Sequence, residues 1–337
     1  MNNIFFKVRV ECMTFNQAPY IEDSMNGFTM QQTDFPFVCT IIDDASTDGE
    51  QDVIHKYLQD NFDLENKSVV RNEETDDYVL CFAQHKSNKN CFFAVLYLKY
   101  NHYSIKKSKR PYIENWSNTK YIAFCEGDDY WISVAKLQKQ VDFLDEQPHY
   151  SAVAGNTRKI SIDGRDLGFF STKSSRDLID MGELVRSRQF HTASIAYRQS
   201  VYQQSPAATS PFGWDMWLWC CLISQGPIRY EDEVICVYRC GTGVTASTSR
   251  MKWILLQEEW ENILFNTFSP DFITYNDAFF PLLADVFSVM NNKNVNKEDK
   301  EQLRDLFKKY ITPSLLIEMM PMMLRHYVFR MKSFFTK

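Results

Sequence analysis

Short apolar runs alternate with amphipathic stripes over the first part of the chain. Lys7 to Met13 reads as a strand and Thr14-Phe15-Asn16 as the turn leaving it. Ala18, Ile21, Met25 and Phe28 then recur at steps of three and four, one face of a helix. Phe37 to Ile42 is near-continuously apolar, as a parallel strand buried on both faces should be. It ends in Asp43-Asp44-Ala45-Ser46-Thr47-Asp48-Gly49, where Thr47 or Asp48 can cap a helix striped by Val53, Ile54, Tyr57 and Leu58. Ser68 to Arg71 reads as a third strand. Strand, helix, strand, helix, strand with short connections implies right-handed parallel crossovers.

From Asn72 to Asn118 the pattern is mixed. The patches Val79 to Phe82 and Cys91 to Leu98 are assigned to helices, and the basic run Lys106 to Pro111 to a solvated loop. Tyr121 to Cys125 is then a short buried strand, cut off by Glu126-Gly127-Asp128-Asp129. Ser133 is placed as the cap of a helix whose Leu137, Val141 and Leu144 face the core, ending near Pro148. Ser151 to Ile160 and Ser194 to Tyr197 read as strands. Asp180 and Glu183 stand three apart as a cap and its partner before a short helix through Arg188. Gly213-Trp214-Asp215 opens a helix that stops at Gly226-Pro227, Arg229 to Tyr238 is a strand, and a mobile loop runs to Ser249. From Arg250 onward strand signals fade. The expectation is an α/β domain over 1–249 and a helical region over 250–337.

Composition narrows the function classes. The chain has 337 residues, 45% of them hydrophobic, with 26 Phe, 17 Tyr and 7 Trp, enough for a sizeable core. A formal charge of -6 from 37 basic and 43 acidic residues gives no reason to expect nucleic-acid binding. The nine cysteines form no C-x-x-C pair and no Cys/His zinc spacing; they read as reduced core residues of a cytosolic protein. The N-terminus lacks the pattern of a signal peptide. The most apolar stretch, Ala278 to Met290, is broken by Pro281 and Asp285, so nothing is expected to span a membrane.

Several devices are excluded. There is no G-x-G-x-x-G, no G-x-x-x-x-G-K-[ST] and no G-x-S-x-G. Asp44, Ser46, Asp48 and Gly49 imitate the start of a calcium loop, but the twelfth position is His55 rather than Glu. What remains is a sheet with acidic strand ends. Ligands of open α/β sheets lie outside the carboxyl ends of the strands, so Glu126, Asp128 and Asp129 suggest a metal or a cationic ligand. An ordinary acidic surface turn is the alternative.

Thr14-Phe15-Asn16, Tyr20-Ile21-Glu22, Gln32-Thr33, the run Ile41 to Gly49, and Glu126-Gly127-Asp128-Asp129-Tyr130-Trp131 resemble the ordered motifs of glycosyltransferase family 2. The resemblance covers roughly residues 6–245. It implies a GT-A fold, Rossmann-like with a mostly parallel sheet flanked by helices, here with a helical C-terminal extension. It also implies transfer of a sugar from a nucleotide-diphosphate donor, a UDP-sugar first of all, to a glycan or lipid-linked acceptor, with inversion and with Mg²⁺ or Mn²⁺.

A diphosphate leaving group carries concentrated charge that a divalent cation stabilises, typically on one or two protein carboxylates. By resemblance Asp128 is the first metal ligand, Asp129 its neighbour and Glu126 nearer the ribose. Glu126 departs from the family's first Asp. Asp44, then Asp43, would recognise the nucleoside, with Thr14 and Asn16 lining the pocket; a plain turn-capping role stands beside this for at least one Asp. Asp215 matches the family's base, which takes the acceptor proton. Its alternative is an ordinary N-terminal Asp of a helix. Trp214 and Trp217 are candidates to stack on a sugar, or core residues.

Arg239 falls where the family places a basic residue near the pyrophosphate. The family's nearby His is absent, Cys240-Gly241-Thr242 standing instead. His191 matches a frequent His-Thr/Ser-Ser position and is an acceptor or donor contact by resemblance, against a structural role. Leu315 to Lys337 carries Arg325, Arg330, Lys332 and Lys337 among Leu, Ile, Met and Phe, with Pro321 inside. It reads either as a helix packed on the catalytic domain or as a basic amphipathic helix on the inner face of the cytoplasmic membrane. Two other classes are kept: a non-catalytic nucleotide-sugar-binding scaffold in a polysaccharide assembly complex, and a nucleotidyltransferase, against which the Thr14-Phe15-Asn16-Gln17 turn speaks.

Overall fold

The computed structural model describes residues 4–113, 116, 118–204, 213–242 and 248–335. They fall into two compact units. The first comprises Met1–Ile179, Gln189–Pro206 and Cys221–Ala246; the second comprises Asp180–Arg188, Ala207–Cys220 and Ser247–Lys337.

The first unit is built on one sheet of 13 strands. In chain order these are β1 Val8–Thr14, β2 Phe37–Asp43, β3 Phe62–Asp63, β4 Arg71–Glu74, β5 Tyr78–His85, β6 Cys91–Leu98, β7 Tyr121–Phe124, β8 Tyr130–Trp131, β9 Ala152–Ser161, β10 Asp166–Phe169, β11 Arg176–Leu178, β12 Ala196–Arg198 and β13 Ile228–Cys240. The central strands run β7-β1-β2-β6, all parallel. β5 adds antiparallel to β6, and β12 joins β7 to β9 on the other side. Helices α1 Ile21–Thr29, α2 Glu50–Asn61, α3 Arg110–Ile113 and α4 Lys136–Glu146 belong to this unit.

The central strands are buried on both faces, which explains their continuous apolar runs. In β2, Phe37, Cys39 and Ile41 enter one core cluster while Val38 and Ile42 enter the other. β6 divides in the same way, with Cys91, Phe93, Val95 and Tyr97 against Phe92, Ala94, Leu96 and Leu98. This corrects the helix assignment for 79–82 and 91–98: both belong to an antiparallel strand pair. It also moves the third parallel strand from 68–71 to β6. Two expected caps differ as well. Gly49 at φ 93° occupies the N-cap of α2, and Ala135 rather than Ser133 precedes α4.

The second unit is helical. Asp180 caps α5 Met181–Arg186 by accepting from the Glu183 amide, as its spacing predicts. After α6 Gln199–Gln204 of the first unit, α7 Trp214–Gln225 crosses the division between the units; α8 Arg250–Phe268, α9 Tyr275–Met290, α10 Lys297–Tyr310 and α11 Pro313–Phe335 complete the second. Arg186 donates through Nε to Asp277 at 2.6 Å and pairs with Glu318, tying α5, α9 and α11 together. No helix among the described residues is long and apolar enough to cross a membrane. The nine cysteines are free thiols, all buried except the half-buried Cys81 and Cys240.

Candidate active site

The carboxyl ends of β2, β1 and β7 lie side by side, and Thr14 joins what they carry. Thr14 is the register partner of Asp43, and its Oγ1 lies 2.8 Å from Gln17 Oε1 and against Glu50 Oε1. On the other side a Cβ built on Gly127 would fall within 3 Å of the Thr14 hydroxyl and of Gln17 Oε1, so only glycine lets the acidic turn come this close. The turn continues the pairing with β1 through Cys125 N to Glu11 O and Gly127 N to Met13 O, each 3.1 Å. From α1, Ser24 Oγ reaches the carbonyls of Gly127 (2.9 Å) and Asp129 (2.5 Å).

Within the turn the three acids differ. Asp129 is 2% exposed and accepts from the Arg239 amide at 3.0 Å; its other oxygen is 3.6 Å from His191 Nδ1. Burial, then the charges of Asp128 and Glu126, push the Asp129 carboxyl well above the usual range. Asp128 is 7% exposed, and its Oδ2 accepts from the Thr242 hydroxyl at 2.5 Å. Glu126 is half-buried. Among the described residues no three His, Cys, Asp or Glu side chains form a ready metal cage. Hard carboxylate oxygens on one turn nevertheless suit Mg²⁺ or Mn²⁺, which need only one or two protein ligands when phosphates complete the shell.

Arg239, the last residue but one of β13, is spent on this turn. Its Nη1 donates to the Asp128 carbonyl at 2.8 Å and its Nη2 pairs with Asp23, while the guanidinium lies 4.9 Å from the Tyr20 ring centroid and 4.8 Å from that of Tyr130. The clamp therefore fastens the start of α1 to the acidic turn. Neither Thr242 nor Asp23 is signalled by the sequence, because both partners are distant in the chain.

The second acidic cluster also divides its work. Asp44 accepts from the amides of His102 (2.7 Å) and Tyr103 (3.1 Å) and pairs with Lys109 at 2.7 Å, so both its oxygens hold the segment after β6. Asp43 is fully buried; Oδ2 accepts from Gln51 Nε2 at 2.5 Å, and Oδ1 has no hydrogen-bond partner. Burial raises its carboxyl above the usual range. Tyr97, the register partner of Asp43 on β6, also has an unpartnered buried hydroxyl, and His55 of α2 stacks on its ring at 4.5 Å. Asn16, at φ 52°, accepts from Thr47 N through Oδ1 at 2.8 Å and donates its backbone N–H to Ser46 Oγ at 2.9 Å, locking the two turns together.

His191 stacks on Tyr238 at 4.2 Å, meets Phe170 edge-on, and accepts from Ala193 N at 3.3 Å. The first unit thus brings together Thr14, Asn16, Asp43, Asp44, Glu126, Asp128, Asp129, His191 and Arg239. Asp215 and Trp214 begin α7 in the second unit. There Asp215 pairs with Arg188 at 2.9 Å. Trp217 is a core residue, packed on Trp260 and Phe268. Gly213 at φ 69° makes the turn into the helix, where a Cβ would strike the Trp260 ring. The loop expected before Ser249 lies at 243–247, outside the described residues.

No family model matches the chain. The uncharacterised protein Rv1520 of Mycobacterium tuberculosis is 29% identical over 228 residues, 67% of this chain, and the chain spans 57% of its length. TuaG of Bacillus subtilis, named as a teichuronic acid biosynthesis glycosyltransferase, is 22% identical over 75% of this chain and 85% of its own. TarS of S. aureus superposes with a TM-score of 0.58 at 15% identity, over 92% of this chain and 50% of TarS. Its fragment 1–349 in complex with UDP superposes at 0.53 with 14% identity, over 88% and 78%. These likenesses establish the fold, which is of the GT-A glycosyltransferase type that the motifs imply.

Proposed function

We propose that the chain is an inverting glycosyltransferase of the family 2 kind, moving a sugar from a nucleoside diphosphate to a hydroxyl of a glycan or lipid-linked acceptor in bacterial cell-surface polysaccharide assembly. The observation that carries this reading is the contact row at the strand ends, in which Thr14 stands between Asp43 and the Asp128 turn. Two acids at strand ends on either side of β1 in a GT-A sheet support one acid for the nucleoside and one for the phosphates. The UDP held by the TarS fragment supports a UDP-sugar as donor.

The roles follow from what each side chain has left to offer. Asp43, with a free oxygen, is assigned to the nucleoside in place of Asp44, whose oxygens hold the 100–109 segment. Asp128 would hold Mg²⁺ or Mn²⁺ together with the donor phosphates, and Glu126 is assigned to the ribose side. Asp129, turned to the Arg239 amide, supports the turn. A bound cation would stabilise the charge that develops on the departing diphosphate. The acceptor oxygen attacks the anomeric carbon, the bond from that carbon to the diphosphate oxygen breaks, and Asp215 takes the acceptor's proton. Arg188 orients that carboxylate. His191 and Trp214 are assigned to donor or acceptor contact. The reaction belongs to the cytoplasm, at the inner membrane face where the acceptor is lipid-linked.

A thermal-shift screen of nucleotide sugars with Mn²⁺, followed by an assay of released nucleotide, tests the reading. A nucleotide-sugar that stabilises the protein and is turned over supports it. Stabilisation without any turnover or hydrolysis would instead favour the non-catalytic scaffold, for which the absent His near Arg239 leaves room.

A further inference from the structure

α11 has two apolar faces and uses one. Leu315 and Met319 are fully buried, and Glu318 pairs with Arg186. Leu316, Ile317, Met320 and Leu324 are exposed by 43%, 68%, 48% and 59%. Their spacing places them on one arc of the helix, away from the buried pair. Large exposed apolar residues elsewhere in the second unit are scattered singly, so four within nine positions mark a surface kept for something.

Further along, the sequence holds Tyr327, Val328, Met331, Phe334 and Phe335. The charge of the segment is reversed relative to the chain. Residues 313–337 hold four basic side chains, Arg325, Arg330, Lys332 and Lys337, and one acidic, Glu318, a net of +3 on a chain of -6. An exposed apolar arc on a segment whose sequence is rich in Arg, Lys and aromatic residues fits the boundary of an anionic bilayer. Apolar side chains enter the acyl region and the cations meet the headgroups, while the acidic remainder of the chain is repelled. A second protein surface would need no such charge reversal.

We infer that the outer face of α11 docks on an anionic lipid surface. Docking is read without turnover, so it stands or falls separately from the transfer reaction. The experiment is co-sedimentation of the full chain with phosphatidylcholine vesicles with and without phosphatidylglycerol, at low and high salt. The expected result is roughly tenfold or greater partitioning onto the anionic vesicles, weakened by salt. Ile317→Asp and Leu324→Asp, at exposed positions that leave circular dichroism and thermal melting unchanged, should each abolish it, and Arg325→Glu should reduce it several-fold. Failure to sediment with either vesicle, or equal binding to both, overturns the inference. So does vesicle-free, concentration-dependent self-association that the same Asp variants relieve, which would make the face an interface between two copies.

Discussion

Arg239 Nη1 donates to the backbone carbonyl of Asp128 at 2.8 Å, so the centre of the acidic turn is held by a cation from the last strand in the chain. Tyr20 and Tyr130 flank the same guanidinium. Lysine keeps the charge but not the planar, multiply donating group. Arg239→Lys should therefore lower stability by about 1–3 kcal/mol and weaken UDP binding with Mn²⁺ at least ~10-fold. Calorimetry and thermal melting measure both. UDP binding as tight as in the unaltered chain would show that the turn holds its shape without the clamp.

The two neighbouring acids at the end of β2 should separate cleanly under substitution. Asp44→Ala strands the buried His102 amide, the part-buried Tyr103 amide and the Lys109 ammonium, at a cost on the order of 3 kcal/mol. Asp43→Asn keeps the size and the Gln51 neighbour, so its main effect is on nucleoside affinity. A melting temperature that falls for Asp44→Ala and a Kd that rises for Asp43→Asn is the expected pair of results; the reverse pattern returns nucleoside recognition to Asp44.

Asp215→Asn should bind donor normally and lose transfer by about 10²–10⁴, the range for a positioned general base. Near-normal turnover in this variant would refute the base assignment. Because Arg188 pairs with the carboxylate, Arg188→Ala should also lower turnover, less severely, while sparing donor affinity.

Chelation tests the acidic turn directly. Donor binding measured by calorimetry should vanish on adding EDTA and return with Mn²⁺, and Asp128→Ala should behave as the chelated protein does. Unchanged donor affinity in EDTA would remove the cation from the scheme.

The second unit carries a pH dependence of its own. Glu261 of α8 is 4% exposed, its Oε2 has no hydrogen-bond partner, and burial pushes its carboxyl up to about 8. With the folded value above the unfolded one, the protonated side chain is at no disadvantage at low pH. The folded state then loses stability as pH rises from the ordinary carboxylate range to about 8, on the order of 5 kcal/mol in all. Glu261→Gln should flatten this slope. Melting temperature against pH for the two proteins is the measurement, and parallel curves would sink the assignment.

Much of the site-bearing half is legible in the chain, for reasons that particular residues make plain. β1, β2 and β7 announce themselves because apolar runs end abruptly in Asn16, Asp43 and Glu126. β6 does not: an eight-residue apolar run buried on both faces has no period to separate it from a buried helix. Nor does spacing tell Asp43 from Asp44. Adjacent side chains leave a strand end in opposite directions, and only the segment carrying His102 and Tyr103 decides which of them is consumed. Arg239 was visible as a cation after a strand, but its engagement with Asp23, Tyr20 and Tyr130 arises where α1 packs beside β8, a contact no local pattern encodes.

The missing Cβ of Gly127 also carries an evolutionary consequence. Its neighbours there are the Thr14 side chain, down to its Cβ, and the end of Gln17, rather than backbone. Positions 14, 17 and 127 should therefore drift as a set across descendants of this chain: a side chain gained at 127 is tolerated only where 14 has become glycine and 17 has shortened, and such a triple exchange would report a lineage that has reshaped this strand-end turn.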